Sequence, residues 1–181
     1  MKANPKVRLS PVTWDNMDEV IGLSVSIEQG NMGVPSNLRS LADAFISRLP
    51  IRAYAIYADD IVIGFIMYAY NQRANTNHWS DNSYFIWRFM IDEKYQGKGY
   101  GRQAITMVIN EINTLPFGHA DWIFLSTDPV NHAARHLYKS LGFADAPLRH
   151  QDDDPWMRRP IPLLDSIYEI ESALPKPEHR Q

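Results

Sequence analysis

The stretch Gln96-Gly97-Lys98-Gly99-Tyr100-Gly101 sets a glycine at every second position between two very different neighbours. Before it, residues 84–91 (Tyr-Phe-Ile-Trp-Arg-Phe-Met-Ile) form a near-continuous apolar and aromatic run, broken only by Arg88. Such a run suits a strand buried on both faces. After it, Ile105, Val108, Ile109 and Ile112 recur at helical spacing, which predicts an amphipathic helix running to about residue 114. The segment is therefore a strand-to-helix turn. Glycines let such a turn close tightly and approach a ligand. The unpaired amides of the turn and the first helical turn, with the helix dipole, make an anion site that suits a pyrophosphate. Lys98 and Arg102 add positive charge. The spacing differs from the Rossmann Gly-x-Gly-x-x-Gly and lacks the Gly-Lys-Ser/Thr ending of a P-loop. On spacing alone it reads equally as a tight turn with no ligand.

Working outward, Pro116 and Gly118 end the helix, and residues 122–126 form another buried strand. Strand, helix and strand make one crossover unit, so these two strands are predicted to be parallel. A helix over 131–141 follows, stopped by Gly142. Residues 143–161 then hold two strands around the acidic turn Asp152-Asp153-Asp154. Upstream, the pattern predicts a strand at 7–9, a helix at 15–29 and a second helix at 37–48 closed by Pro50. A hairpin of strands 53–58 and 61–70 turns at Asp59-Asp60, and 71–82 is a polar loop. The tail includes a short helix at 165–174 and a loose end at 175–181.

The chain has 181 residues, 45% hydrophobic and 22% charged, which fits one folded domain with a real core. The division expected is a domain over 1–161 and a C-terminal extension over 162–181. A net charge of -3 with no concentrated basic face argues against a nucleic-acid partner. The absence of cysteine excludes disulfides, thiolate metal sites and a cysteine nucleophile. Lys2, Lys6 and Arg8 have no apolar run behind them, which is not a signal peptide, and no segment approaches the ~20 apolar residues of a membrane span. The expectation is a cytoplasmic protein with no membrane partner.

Residues 88–101, Arg-Phe-Met-Ile-Asp-Glu-Lys-Tyr-Gln-Gly-Lys-Gly-Tyr-Gly, resemble the acetyl-CoA-binding motif of the GNAT superfamily of N-acetyltransferases, Gln/Arg-x-x-Gly-x-Gly/Ala after a strand. A second block, Leu125-Ser126-Thr127, Asn131, Ala133-Ala134 and Leu137-Tyr138-Lys139-Ser140-Leu141-Gly142-Phe143, also resembles that family in order and separation. The resemblance covers the chain from Val7 to about Ile161. It implies an α/β fold: a GNAT-like mixed, twisted, mostly antiparallel sheet with one parallel crossover pair and helices on both faces. It implies acetyl-CoA as cosubstrate, with no metal. The pantetheine arm would lie along the backbone of Phe89, Met90 and Ile91. The pyrophosphate would sit on Gln96, Gly97, Lys98, Gly99, Tyr100, Gly101 and Arg102, with Asn131 and Ala134 facing the cofactor from the other side.

For the chemistry, the same resemblance places Tyr138 as general acid. A phenol near pKa ~10 holds a proton at pH 7 and can deliver it to the departing thiolate. Backbone amides near Met90 are the candidate oxyanion hole. Asn131 also stands where a helix N-cap belongs. Polyamine acetyltransferases of the superfamily often carry a glutamate on the strand before the glycine loop, and here Ile86 and Trp87 stand there instead. Glu28 is the substitute candidate for base and for substrate contact, with a water chain the alternative. The phrase at 88–92 and the run at 25–44 resemble bacterial diamine and spermine/spermidine acetyltransferases. On that resemblance Glu28, Asp43 and Asp81 would attract a polycation, and Trp87 and Tyr84 would pack on its methylenes.

The acceptor expected is thus a small-molecule amine, best a polyamine. The alternatives are a protein N-terminus or lysine, another small amine, or a non-catalytic CoA-binding module. A homodimer, with 165–174 as its arm, is compatible with each. His132 and His136 sit at i, i+4 but have Ala133 between them and no third ligand, so they are read as ordinary helix histidines.

Overall fold

The computed structural model describes residues 6–31, 34–71, 82–149 and 155–162. Asp81, the acidic turn at 152–154 and the tail from 163 lie outside the described residues. Strand β1 (Val7–Pro11) leads through three short helices, α1 (Met17–Gly22), α2 (Ile27–Asn31) and α3 (Asn37–Ile46), to the hairpin β2 (Ile51–Ala58) and β3 (Ile61–Asn71). Strand β4 (Ser83–Ile91), helix α4 (Tyr100–Ile112) and strand β5 (Trp122–Ser126) form the crossover. Helix α5 (His132–Ser140) and strands β6 (Ala144–Arg149) and β7 (Pro155–Pro160) complete the order. The sheet runs β1-β2-β3-β4-β5-β7-β6. Every neighbouring pair is antiparallel except β4 and β5, which are parallel.

Apolar periodicity explains which helix covers which face. On α4, Ala104, Ile105, Val108, Ile109 and Ile112 form one buried stripe. That stripe packs with Tyr138 of α5 onto Ile66, Tyr68, Tyr84 and Ile86 of the sheet. On the opposite face, Val20 of α1 and Leu41 and Ala44 of α3 pack on Phe65, Met67 and Met90. Helices therefore cover both faces of one mixed sheet, as expected.

The single helix expected over 15–29 is two helices. Gly22 closes α1, and Leu23 turns extended at ψ 145. The backbone of Ser24 is bonded elsewhere: its N–H donates to Asp92 Oδ2 at 3.0 Å, and its carbonyl accepts from Glu93 N–H at 3.0 Å. These long-range bonds replace the intrahelical ones, so tertiary contact overrides local pattern. Helix α3 ends at Ile46, two residues short of the expected limit, because Ser47 is extended at ψ 145.

Two irregularities in β4 open the sheet where the glycine loop begins. Its parallel ladder with β5 covers only Ser83, Tyr84 and Phe85, opposite Trp122, Ile123 and Phe124. Beyond Phe85 the two strands carry no register pairs. On its other edge, Ile86 pairs with Tyr68 and Arg88 with Met67, so Trp87 is an extra residue, a β-bulge. The bulge inverts the alternation. Tyr84 and Ile86 before it, and Phe89 and Ile91 after it, all pack on the α4 side. Trp87 packs on the opposite face, and Arg88 reaches Asp43 of α3 there.

Candidate active site

The separation of β4 from β5 forms a cleft of about 420 Å³. One wall is residues 86–91 of β4. The facing wall comes from the end of β5 and from α5, and the glycine loop closes the mouth. The loop is built in steps. Asp92, 4% exposed, ends the strand and accepts from Lys94 N–H at 3.1 Å, capping the 3-10 turn Glu93–Tyr95. The Gln96 side chain donates to the Ile91 carbonyl at 2.8 Å and so folds the chain back on the strand end. Gly97 and Gly99 then adopt φ of 74° and 79°. A Cβ at either would meet no atom within 4 Å, so it is the left-handed backbone that calls for glycine there, not crowding. Helix α4 starts at once with Tyr100, leaving its first amides without intrahelical partners at the cleft. Open space over a positive-φ loop and a helix N-terminus fits a pyrophosphate.

Of the residues expected to hold the cofactor, Phe89, Met90, Ile91, Gln96, Gly97, Gly99, Tyr100, Gly101, Arg102, Asn131 and Ala134 all line this cleft. Lys98 does not: its ammonium donates to the Lys94 carbonyl at 3.0 Å and lies 5.2 Å from the Tyr95 ring centre. Arg102 is tethered by a 2.7 Å bond to Ser140 Oγ. Asn131 caps α5, its side chain accepting from Ala134 N–H at 3.1 Å.

Tyr138 also lines the cleft. Its ring packs edge-on to Phe143, centroids 6.1 Å apart. Burial pushes its phenol pKa above the ordinary tyrosine value, because the charged phenolate would lose its water. The group is therefore protonated throughout the neutral and mildly alkaline range.

The acceptor side differs from expectation in three places. Glu28 sits in the first turn of α2, exposed, and is not among the cleft residues; Gln29 and Val25 line it instead. Tyr84 is fully buried away from the cleft, its hydroxyl donating to the Gly118 carbonyl at 3.0 Å and accepting from Phe117 N–H at 2.9 Å. Asp43 is occupied by two guanidinium groups, Arg39 at 2.7 Å and Arg88 at 3.3 Å. Trp87 lines the wall. Arg88 is in it too, and its Nε is buried without a hydrogen-bond partner among the described residues. Burial lowers the Arg88 pKa and Asp43 works against that shift. Asp128, at the end of the facing wall, contributes a carboxylate to the cleft lining. Pattern reading missed Asp92, Gln29 and Asp128. For Asp92 a signal existed, an Asp directly after a strand and two residues before the amide it caps.

A parallel crossover pair joined through a glycine loop is the arrangement the sequence motifs implied. Residues 26–143 match the Acetyltransferase (GNAT) family, and the chain belongs to it. It is an acetyl-CoA-dependent N-acetyltransferase. Among curated proteins it is similar to the spermine/spermidine N(1)-acetyltransferase of Bacillus subtilis strain 168, with 30% identity over 142 residues, 76% of this chain and 87% of the relative. A probable spermine N(1)-acetyltransferase of Bacillus subtilis subsp. natto matches at the same identity and coverage. Among solved structures, the spermidine N-acetyltransferase from Vibrio cholerae in complex with CoA and spermine shares the fold. Its TM-score is 0.62 at 18% identity, over 86% of this chain and 95% of that one. The PaiA N-acetyltransferase from Thermoplasma acidophilum in complex with coenzyme A gives a TM-score of 0.60 at 15% identity, over 86% and 99%. No helix among the described residues is long and apolar enough to cross a membrane. No group of three or more His, Cys, Asp or Glu among them is arranged to hold a metal ion.

Proposed function

We propose that the enzyme acetylates a primary amine of a small polycation of the spermine, spermidine and diamine class. The observation that carries the transfer chemistry is the cleft itself: β4 parts from β5 after Phe85, the glycine loop stands at the opening, and Tyr138 faces the gap. Support for the polyamine comes from the two curated relatives, both named for spermine acetylation. Trp87 offers an aromatic face for a methylene chain or an ammonium, and Asp128 offers a carboxylate.

In this reading acetyl-CoA supplies an activated thioester. The amides of 96–102 and the Arg102 guanidinium hold its pyrophosphate, and the β4 edge at Phe89, Met90 and Ile91 takes the pantetheine where β5 has left it. Asn131 and Ala134 approach from the α5 side. Tyr138 gives its proton to the leaving sulfur. Deprotonation of the amine falls to water, because Glu28 is exposed and outside the cleft.

One observation favours a second reading. The Arg88 guanidinium stands in the cleft wall as a cation. It would repel the ammonium groups of a polyamine and attract an amine that also carries a carboxylate. The test is thiol release from acetyl-CoA against spermine, spermidine, putrescine, an aminoglycoside, free amino acids and a lysine peptide. The polyamine reading expects spermine or spermidine to give the highest kcat/KM. Highest turnover with an amino acid would overturn it and support the Arg88 reading; turnover confined to the peptide would overturn both.

A further inference from the structure

The segment 23–29, running from the end of α1 into α2, is part of the acceptor-side wall through Val25 and Gln29. It is far in sequence from the phosphate-binding loop, yet it is fastened to that loop at two points. At the first, Asp92 is buried, and its two carboxylate oxygens are divided: Oδ1 accepts from Lys94 N–H at 3.1 Å, within the loop, and Oδ2 accepts from Ser24 N–H at 3.0 Å, within the wall. The neighbouring Glu93 N–H returns a bond to the Ser24 carbonyl at 3.0 Å. At the second, the carboxamides of Gln29 and Gln96 face each other and exchange two bonds, Gln29 Nε2 to Gln96 Oε1 at 3.2 Å and Gln96 Nε2 to Gln29 Oε1 at 2.9 Å. Gln96 also holds the Ile91 carbonyl. One side chain therefore touches the strand end, the glycine loop and the acceptor wall.

A ligand that fixes the loop must act on whatever the loop is bonded to. We propose that the acyl donor, by seating its pyrophosphate on residues 96–102, orders the wall at 23–29 through Asp92 and the Gln29–Gln96 pair. Gln29 and Asp92 are then positioning residues: they set how well the amine is held once the donor is bound, without themselves binding the donor. The proposal rests on reading the loop as the donor's phosphate site. Linkage makes the effect reciprocal, so a bound amine tightens the donor by the same factor. The chemistry of the two contacts dictates the variants. Asp92→Asn keeps the shape but turns one oxygen into an N–H donor, which then confronts either the Ser24 or the Lys94 amide. Gln29→Leu keeps the bulk and removes both bonds to Gln96.

The experiment is amide hydrogen exchange with and without CoA, on wild type, Gln29→Leu and the double variant with Asp92→Asn. In wild type CoA should slow exchange both at 92–102 and at 23–29. In Gln29→Leu the second protection should shrink, and in the double variant it should vanish, while protection at 92–102 and CoA affinity stay within about threefold of wild type. With an accepted amine at saturating acetyl-CoA, KM for the amine should rise at least about fivefold, the low end of typical coupling factors, and kcat should change less than about twofold. Exchange at 23–29 that ignores CoA in wild type, or protection that survives in the double variant, overturns the proposal. Failure to find any accepted amine leaves the exchange result standing. Absence of protection at 92–102 removes the phosphate-loop reading and the proposal together. Gln29→Leu lies at the surface, so its melting temperature should match wild type and keep the test informative if the Asp92 variant folds poorly.

Discussion

Removing the Tyr138 hydroxyl is the most direct probe of the proton transfer. Tyr138→Phe leaves the ring in place against Phe143, and the ring is what fills the core at this point. Folding and donor binding should therefore be unchanged. The magnitude follows from the two proton positions. A free thiol has a pKa of ~8.5 and a free phenol ~10, so the transfer is uphill by about 2 kcal/mol in water at ~1.4 kcal/mol per unit. Burial raises the phenol further. It destabilises the nascent thiolate in the same cleft as well, so the two effects offset and the gap stays near its value in water. A positioned general acid is worth ~10²–10⁴ in rate, roughly 3–5 kcal/mol. The expectation for Tyr138→Phe is a fall in kcat of at least about 100-fold, with KM for acetyl-CoA within about threefold. Stopped-flow thiol release in a single turnover isolates the chemical step. A variant whose single-turnover rate stays within about threefold of wild type would refute the acid role, whatever the steady-state kcat.

Glu28→Gln should leave kcat/KM for the amine within about twofold, because the side chain is exposed and outside the cleft; below the amine's pKa of ~10.4 the wild-type and variant profiles should both rise about tenfold per pH unit, the mark of an enzyme that captures the neutral amine. A loss of at least about 100-fold in kcat/KM for Glu28→Gln would restore Glu28 as base. Gly99→Ala meets no steric obstacle, so its cost is the left-handed backbone, about 1–2 kcal/mol. If the loop escapes the strain by turning a peptide, the amides swing away from the anion. Calorimetric titration should then show CoA bound at least about tenfold more weakly; an unchanged Kd would show that the loop amides do not hold the donor. Alkaline unfolding should be steep. Burial raises the phenol pKa of Tyr138 and also of Tyr54, Tyr68, Tyr70 and Tyr84. Above pH ~10 the unfolded chain has lost these protons while the folded chain still binds them. Stability is thus fully present below pH ~10 and is lost as pH rises toward the folded values. Melting curves by circular dichroism between pH 8 and 11.5 check this, and a flat melting temperature above pH 10 would contradict it.

The crossover was legible because two independent patterns met at the glycine loop. A strand-like run stops at Ile91, a helical stripe starts at Ile105, and Gly97 and Gly99 between them carry the required positive φ. Both patterns are local, and local pattern is what a single sequence displays. The acceptor side was not legible for the opposite reason. Gln29, Asp43 and Asp92 take their roles from partners 45 to 68 residues away. No spacing rule connects Asp92 to Ser24, and the helical periodicity of 15–29 pointed away from the break that this contact imposes. For Asp43 the sequence shows the charge and Arg39 four residues before it on one helix, but not the distant Arg88 that also holds it. Sequence does not assign a face to Tyr84, because an aromatic residue two positions before Ile86 reads the same on either face of a buried strand. Its bonds to Phe117 and Gly118 decide the face.

The bulge at Trp87 ties these outcomes together. A regular β4 would alternate throughout, and if Ile86 faced α4, Arg88 would face it too, carrying a guanidinium into the apolar stripe of Ile105 and Ile109. One extra residue reverses the phase instead. It sends Trp87 and Arg88 together to the acceptor side and returns Phe89 and Ile91 to the α4 core. The bulge sits just past the last β4–β5 register pair, Phe85–Phe124, so the change of phase and the opening of the cleft occur at the same point along the strand. Bulges bend the strand that carries them and raise its local twist. A strand bent away from its parallel neighbour leaves backbone groups that must find partners, and a pantetheine amide chain can provide them. The residue at which the cleft opens therefore also lines it. Deleting Trp87 should do more than remove an aromatic contact: it would put Arg88 back into phase with Ile86 and allow β4 to pair further along β5.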